Sequence, residues 1–483
     1  MATRTLAACN WSIVLAIVCA LGSPPVASAK THVAHPSNCT NGASAHEQVL
    51  AARVNQLQQE LDQLKAEIQA HQAATRQAQT QAVQSQQAAN LAAKASPQPA
   101  APAFSSAAGI SVTLHGFIDA TAFHQSTPFM FGNGQNAELP VPGSHGSLSG
   151  FDVRNSRFWL DMTSARLGAG WTASGHLEMD FFGGFNGTGA VSRQQETPRL
   201  RQAYMNLDHA SSGTEIRIGQ QWDLMAMLDT IPVSLSHVAF PLGFASGGWL
   251  GWRYPGVVLL QDLNVGSSGP KWRLDIGAFD GNWSGPGDNV NWLTAGNAGF
   301  RPQIEAKLRV TDPKSEVTAY VAGHWSNIDL KGVGGAASAP VKSSFNSISV
   351  DAGVAWKPST FLIQAAAYAG RGMGLFFGNM AQFGDIRGIG GFAQVGDHFT
   401  PHWALYGFYG IAKPKTADVV EWIGHGATGL LKSQQAALDL IYTTGPVDIG
   451  LEWMYDKLQS TPDGISRVNT DGNQLSLSAM YHF

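Results

Sequence analysis

The sequence predicts an all-β fold: a 16-stranded antiparallel transmembrane β-barrel, preceded by an N-terminal periplasmic α-helical coiled coil. Three observations predict it. The chain is 44% hydrophobic yet has a mean hydropathy of only -0.07, too low for a bundle of membrane helices. Its larger part alternates apolar and polar residues with period two, and the gaps between alternating segments are by turns short and long.

Residues 1–29 have the build of an export leader. Arg4 gives a positive start, residues 11–21 form an apolar run shorter than the roughly 20 residues a spanning helix needs, and Ala27-Ser28-Ala29 offers a cleavage site before Lys30. Val18 is bulkier than the residue that usually precedes an acylated cysteine, so Cys19 is not expected to carry a lipid. Loss of the leader removes Cys9 and Cys19 and leaves Cys39 alone, so no intramolecular disulfide is expected; the thiol either stays unpaired or cross-links subunits. The formal charge of -4 becomes -5 as Arg4 leaves, and nothing in it suggests a nucleic-acid partner.

After an N-terminal segment, 30–48, a heptad seam opens the second domain, 49–85. Leu50, Leu57 and Leu64 take d positions and Val54, Leu61 and Ile68 take a positions, with Gln and Glu dominating the outer faces. Such a narrow stripe packs against copies of itself, so the seam is read as a trimerisation device of a homotrimer. An Ala/Gln/Pro-rich linker, 86–107, follows.

The barrel is assigned to 108–483. In WTASGHLEMDF, the residues Trp171, Ala173, Gly175, Leu177, Met179 and Phe181 alternate with polar ones, and RPQIEAKLRV and PVDIGLEWMYD behave alike. Aromatic residues recur at strand ends, among them Trp171, Trp272, Trp325, Trp356, Trp403 and Trp453, where girdles meet the membrane interfaces. Strands are expected to start near Ser111, Arg154, Trp171, Arg199, Thr214, Gly251, Lys271, Arg301, Glu316, Asn346, Phe361, Arg387, His402, Gln434, Val447 and Asn473. Alternation fails at 257–260 and 403–411. The last segment places Leu475, Leu477, Ala479, Tyr481 and Phe483 on one face, and the terminal aromatic is read as an assembly signal for the outer-membrane assembly machinery, with outer-membrane lipid around the strand.

A barrel of about 16 strands encloses water, so passive diffusion of small solutes is the expected activity. By parity the lumen receives Arg157, Asp161, Glu178, Asp180, Arg217, Arg273, Asp275, Arg301, Glu305, Lys307 and Arg309. Arginines from separate strands would favour anions through forked hydrogen bonds, or would merely neutralise the neighbouring carboxylates. The connection between Trp222 and Leu250 carries Met225, Met227, Ile231, Phe240, Phe244 and Trp249 and no Arg or Lys; it is expected to fold into the lumen, presenting Asp223, Asp229 and His237, or else to pack on a neighbouring subunit.

The leader, coiled coil and linker, together with LHGFIDATAF, SRFWLD, GHLEMDFFGG, RLRQAYMNL, IGQQWDLM and WRYPG, resemble the DcaP-like trimeric porins of Gram-negative bacteria over nearly the whole mature chain. The resemblance implies a trimer taking up small anionic solutes, dicarboxylates especially, and marks Arg201, Tyr204, Gln220, Trp222 and Arg253 as motif positions, with Arg253 added to the pore lining. Two other readings compete. A phosphate-selective porin would want basic residues in the connection after Trp222, which has none; a structural barrel would use its coiled coil to tether peptidoglycan. No catalytic Ser/His arrangement, cofactor motif or metal-ligand spacing stands out, so an enzyme is not expected.

Overall fold

The computed structural model describes residues 103–105, 110–130, 132–183, 196–280, 301–329, 341–374, 380 and 382–483. The leader, the heptad seam and the linker up to residue 102 lie outside the described residues.

A strand crossing lipid must satisfy every backbone N–H and C=O within the protein, and a closed sheet does this without leaving an edge. Beside a separate two-stranded ribbon that pairs Phe129–Met130 with Leu139–Pro140, the described chain forms an antiparallel sheet of 18 pieces that close into 16 staves. They are β1 Ser111–Gln125, β2 Arg157–Gly168, β3 Trp171–Asp180, β4 Arg199–His209, β5 Thr214–Trp222, β6 Arg253–Asp262, β7 Lys271–Phe279 and β8 Gln303–Asp312; then β9 Val317–Asp329, β10 Ser344–Trp356, β11 Phe361–Arg371, β12 Arg387–Asp397, β13 Trp403–Pro414, β14 Leu430–Thr444, β15 Val447–Ser460 and β16 Val468–His482. Two short pieces account for the difference. Ala103–Ser105 pairs with the start of β1, and Leu148–Asp152 continues β2 along the upper half of β1. The barrel closes where β1 meets β16, from Phe117 opposite His482 to Gln125 opposite Gln474.

The turns fall into two sets. Those at the end where β1 begins are short: Ala169 and Gly170 join β2 to β3 with φ of 49° and 82°, the pair of positive angles a tight hairpin demands, and only Gly445 and Pro446 separate β14 from β15. At the other end lie the long connections, including 126–156, 223–252 and 415–429. Short turns are periplasmic and long loops extracellular, which fixes the orientation of the barrel.

On β15, Ile449, Leu451 and Trp453 are 41–47% exposed, whereas Glu452, Met454 and Asp456 are no more than 1% exposed. Apolar side chains therefore meet lipid and the alternate set faces inward, as in β11, where Ile363 is exposed and Gln364 buried. Two stretches depart from this rule. On β6, Val257 and Leu259 face lipid, but the inward Val258 and Leu260 are apolar as well. On β13 the inward Ala404, Tyr406 and Phe408 do the same against the outward Leu405 and Tyr409. Their inward partners are other hydrophobic groups: Val258, Leu260 and Phe408 share one buried cluster with Phe279, Tyr320, Tyr368, Phe392 and Met454 of other staves and with Met225, Met227, Trp249 and Leu250 of the connection after β5. Alternation fails at 257–260 and 403–411 because both faces there are apolar. Part of this lumen is packed core rather than water.

Several expected strand starts shift. β8 begins at Gln303, so Arg301 precedes it and is exposed. β14 begins at Leu430 and β16 at Val468, a few residues earlier than Gln434 and Asn473, because strands of this barrel extend beyond the lipid-facing stretch. Arg154 lies between the two pieces of the second stave, where its Nη2 and Nε donate to the Asp152 carboxylate at 2.7 and 2.9 Å.

Candidate functional site

The connection between β5 and β6, residues 223–252, meets inward-facing side chains all around the wall. At its start the backbone N–H of Leu224 donates to Glu305 of β8 at 2.7 Å, and Asp229 pairs with Lys307 at 2.9 Å and Arg309 at 3.2 Å. Farther on, Gln364 of β11 donates to the Ile231 carbonyl, and Gln394 of β12 exchanges two hydrogen bonds with the Val233 backbone. Ser234 Oγ donates to Glu452 of β15 at 2.5 Å, and His237 Nδ1 lies 2.8 Å from the same carboxylate. The Gly243 N–H then donates to Gln435 of β14. Glycine permits the closest approach: a Cβ on Gly410 of β13 would lie 2.0 Å from the Gly247 carbonyl oxygen, and one on Gly248 would lie 2.3 Å from the Gly391 nitrogen of β12. The connection therefore traverses the lumen and narrows it.

Its carboxylates have opposite fates. Burial works against ionisation of Asp229, but the charges and hydrogen bonds of Lys307 and Arg309 outweigh it and hold the carboxyl below its ordinary value of 3.8. Burial, reinforced by the charge of Glu305, pushes the Asp223 carboxyl well above that range.

Beside this connection the staves β2 to β6 assemble an arginine and aromatic cluster. A β-bulge opposite Glu178 and Met179 is its origin: Arg199 pairs with Asp180 and Leu200 with Met179, while Gln202 pairs with Glu178, leaving Arg201 as the extra residue. The bulge shifts the alternation, so Arg199, Arg201, Gln202 and Tyr204 all serve the inner face. Arg199 grips Asp180 with Nε and Nη2 at 3.0 and 2.6 Å; Arg201 donates to Asp180 at 2.8 Å and to Glu178. Arg253 stacks over Trp222 at 4.6 Å and Trp252 at 4.5 Å, and these rings also lie against Arg201 and Arg199 respectively. Phe182 lies beneath both Arg154 and Arg199.

Arg157 lies over Phe117, with its Nε 3.9 Å from Glu178. The buried Nε of Arg157 and Nη1 of Arg253 have no hydrogen-bond partner among the described residues. Among the described residues, arginines 157, 199, 201 and 253 thus share two carboxylates, Glu178 and Asp180.

The other expected residues occupy separate positions. Asp161 pairs with His176 at 2.7 Å and lies 3.5 Å from His115. Toward the periplasm Arg217 stacks on Tyr204 and pairs with Glu215, and Arg273 pairs with Asp275 at 2.7 Å. Glu305 also accepts from Gln303 and lies 2.9 Å from His324. Arg301 is exposed and precedes the first residue of β8. Alternation missed Arg199 and Arg154, and Arg201 stood out only as part of RQAY; the available signal was the repeated arginine of RLR opposite the acidic GHLEMD. The facing wall carries no such cations: Asp439, Glu452 and Asp456 accompany Gln394, Gln435, Gln474, Ser476 and Ser478.

A family model described as Gram-negative porin matches residues 88–483. No curated protein matches the chain. Among solved structures, the fold is similar to that of the outer membrane channel DcaP of Acinetobacter baumannii, at 19% identity and a TM-score of 0.58, covering 79% of this chain and 99% of that one. OmpT of Vibrio cholerae matches at 11% identity and a TM-score of 0.49, covering 79% of this chain and 100% of that one. OprB of Pseudomonas putida matches at 12% and 0.47, covering 77% and 94%.

Proposed function

This chain belongs to the Gram-negative porin family and forms an outer-membrane channel, and we propose that the solutes it favours are small organic anions, dicarboxylates especially. The observation that carries this reading is the excess of guanidinium over carboxylate in the cluster on β2 to β6. Arg199 and Arg201 each donate two hydrogen bonds to Asp180 and Glu178, whereas Arg157 Nε and Arg253 Nη1 remain without a partner among the described residues. A carboxylate entering beside them would gain charge-assisted hydrogen bonds of the kind Arg makes best.

Two carboxylates suit this lumen better than one inorganic phosphate. The crossing connection supplies no cation, and Lys307 is already engaged by Asp229. Arg217 and Arg273, lower in the barrel, are matched by Glu215 and Asp275, so the cationic surplus is confined to the cluster on β2 to β6. We further propose that the channel assembles as a homotrimer held in part by the seam of Leu50, Val54, Leu57, Leu61, Leu64 and Ile68.

Single-channel recording under a salt gradient tests the selectivity. Anion preference is expected, with added succinate producing transient blockades. A strong cation preference would overturn the proposal.

A further inference from the structure

Lipid-facing positions of this barrel are apolar through the middle of each stave, but the extracellular ends of β11 to β14 change character. Arg371 and Arg387 are register partners on adjacent strands. Both share the outward parity of Ile363 and Ile389, which are 41% and 58% exposed. Lys413 pairs with Ile389 and has the parity of the outward Leu405 and Tyr409. Lys432 follows on β14, where Ala412 pairs with Ser433, and shares the parity of the outward Leu438. Lys415 continues from β13, its N–H donating to the Arg387 carbonyl at 2.7 Å, and Lys342 precedes β10. Four adjacent strands thus carry an arc of cations on the order of 15 Å wide, from three spacings of roughly 4.8 Å.

Among the described residues, Asp385, Asp418 and Glu421 line one pocket with Lys342, Arg371 and Arg387. The two aspartates act from beneath. Asp385 is 7% exposed at its side chain and pairs with Lys342 and Arg371, which are 42% and 43% exposed; Asp418 is 8% exposed and pairs with Arg387 and Lys415, 58% and 50% exposed. Each buried acid pairs with two cations whose side chains stay 42–58% exposed. Lys413 and Lys432 make no ion pair among the described residues, and the patch keeps a surplus of positive charge. Below it on the same face come Ile389, Ile411 and Tyr409, surfaces suited to acyl chains.

We propose that this patch binds the phosphorylated headgroup of the glycolipid that forms the outer leaflet, with Arg371, Arg387, Lys413, Lys415 and Lys432 meeting its phosphates and Ile389 and Tyr409 its acyl chains. Charge complementarity chooses this occupant. A leaflet of phosphorylated lipid A brings a layer of anions to the height of these cations, directly above the acyl chains that meet the apolar face below them. The width of the arc accommodates two phosphates side by side, met by Lys413 and Lys432, which hold no ion pair among the described residues, and by the exposed parts of Arg371 and Arg387, 43% and 58% exposed.

The test uses the full-length protein in detergent, titrated with lipid A bearing two, one or no phosphates and followed by native mass spectrometry. Retention is expected to fall with each phosphate removed. The double variant Lys413→Gln/Lys432→Gln leaves every ion pair intact and should weaken binding of the bisphosphorylated lipid by about five-fold for each lysine removed. Folding of the variant is verified by heat-modifiable gel migration, and the phosphate series on the unaltered protein stands without it. Equal retention of dephosphorylated lipid A would overturn the proposal, as would unchanged binding by the double variant. Displacement of the lipid by an equal concentration of inorganic phosphate would show a free-anion site instead, and loss of oligomer with unchanged lipid binding would show a subunit interface; either result overturns it.

Discussion

His237 Nδ1 lies 2.8 Å from Glu452 Oε1, with both side chains only 2% exposed, and this contact ties the middle of the lumen-crossing connection to β15. Ser234 donates to the other oxygen of the same carboxylate, so one residue of the wall holds two residues of the connection.

Removing that anchor should free the connection without dissolving the barrel. Glu452→Ala leaves His237 and Ser234 without their acceptor, and losing one partner of a buried pair costs roughly 3–5 kcal/mol locally. The expected outcome is a larger and noisier single-channel conductance with unchanged thermal stability of the barrel. Conductance equal to that of the unaltered channel would mean the other anchors suffice.

The arginines should separate into two classes. Arg157→Gln and Arg253→Gln remove cations that hold no short ion pair, so selectivity should move toward cations while the protein folds normally. Arg201→Gln removes the direct guanidinium partner of Glu178 and one of the two arginines on Asp180, which Arg199 still holds, and both a selectivity shift and a lower folding yield are expected, by roughly 1–3 kcal/mol. Reversal potentials and refolding yields, measured on the same preparations, check the distinction.

Acid should release the start of the connection late. The Asp229 carboxyl is held below 3.8, so the stabilisation from Lys307 and Arg309 is present above the unfolded value and is lost as pH falls through the lower folded one. Conductance should therefore stay constant from about pH 7 to about pH 4.5 and become unsteady only in stronger acid. Asp229→Asn should show the unsteady behaviour at neutral pH.

The barrel seam should be sensitive at Gly116. Its N–H and carbonyl exchange hydrogen bonds with the Phe483 backbone at 3.1 and 2.9 Å, and the Phe483 ring covers the place where a side chain would stand. A Cβ there would lie 2.5 Å from that ring and 2.6 Å from the Arg157 carbonyl oxygen, which belongs to the backbone and has little room to yield. Gly116→Val should cost roughly 1–3 kcal/mol and lower the yield of folded barrel, as read by gel migration, without altering ion preference.

The sequence by itself determined the staves. A strand with lipid on one side and polar lumen on the other writes its period directly into the chain, so Trp171, Lys271, Phe361 and Val447 begin strands where alternation places them. The same logic marked Glu178, Asp180, Lys307 and Arg309 as inward, and the apolar residues of 223–252 as unsuited to a solvated loop.

Only the tertiary structure decided which residues meet. Parity states a side but no height, and a single extra residue inverts it: the bulge at Arg201 brings Arg199, Arg201 and Tyr204 to one face, which strict alternation cannot do. The apolar inward residues at 257–260 and 403–411 stayed illegible for a related reason. Val258, Leu260 and Phe408 cluster with Met225, Trp249 and Leu250, and Ala404 and Tyr406 with Leu235, all on a segment that crosses the lumen, and a local pattern reports the solvent along its own strand but not a loop that displaces it.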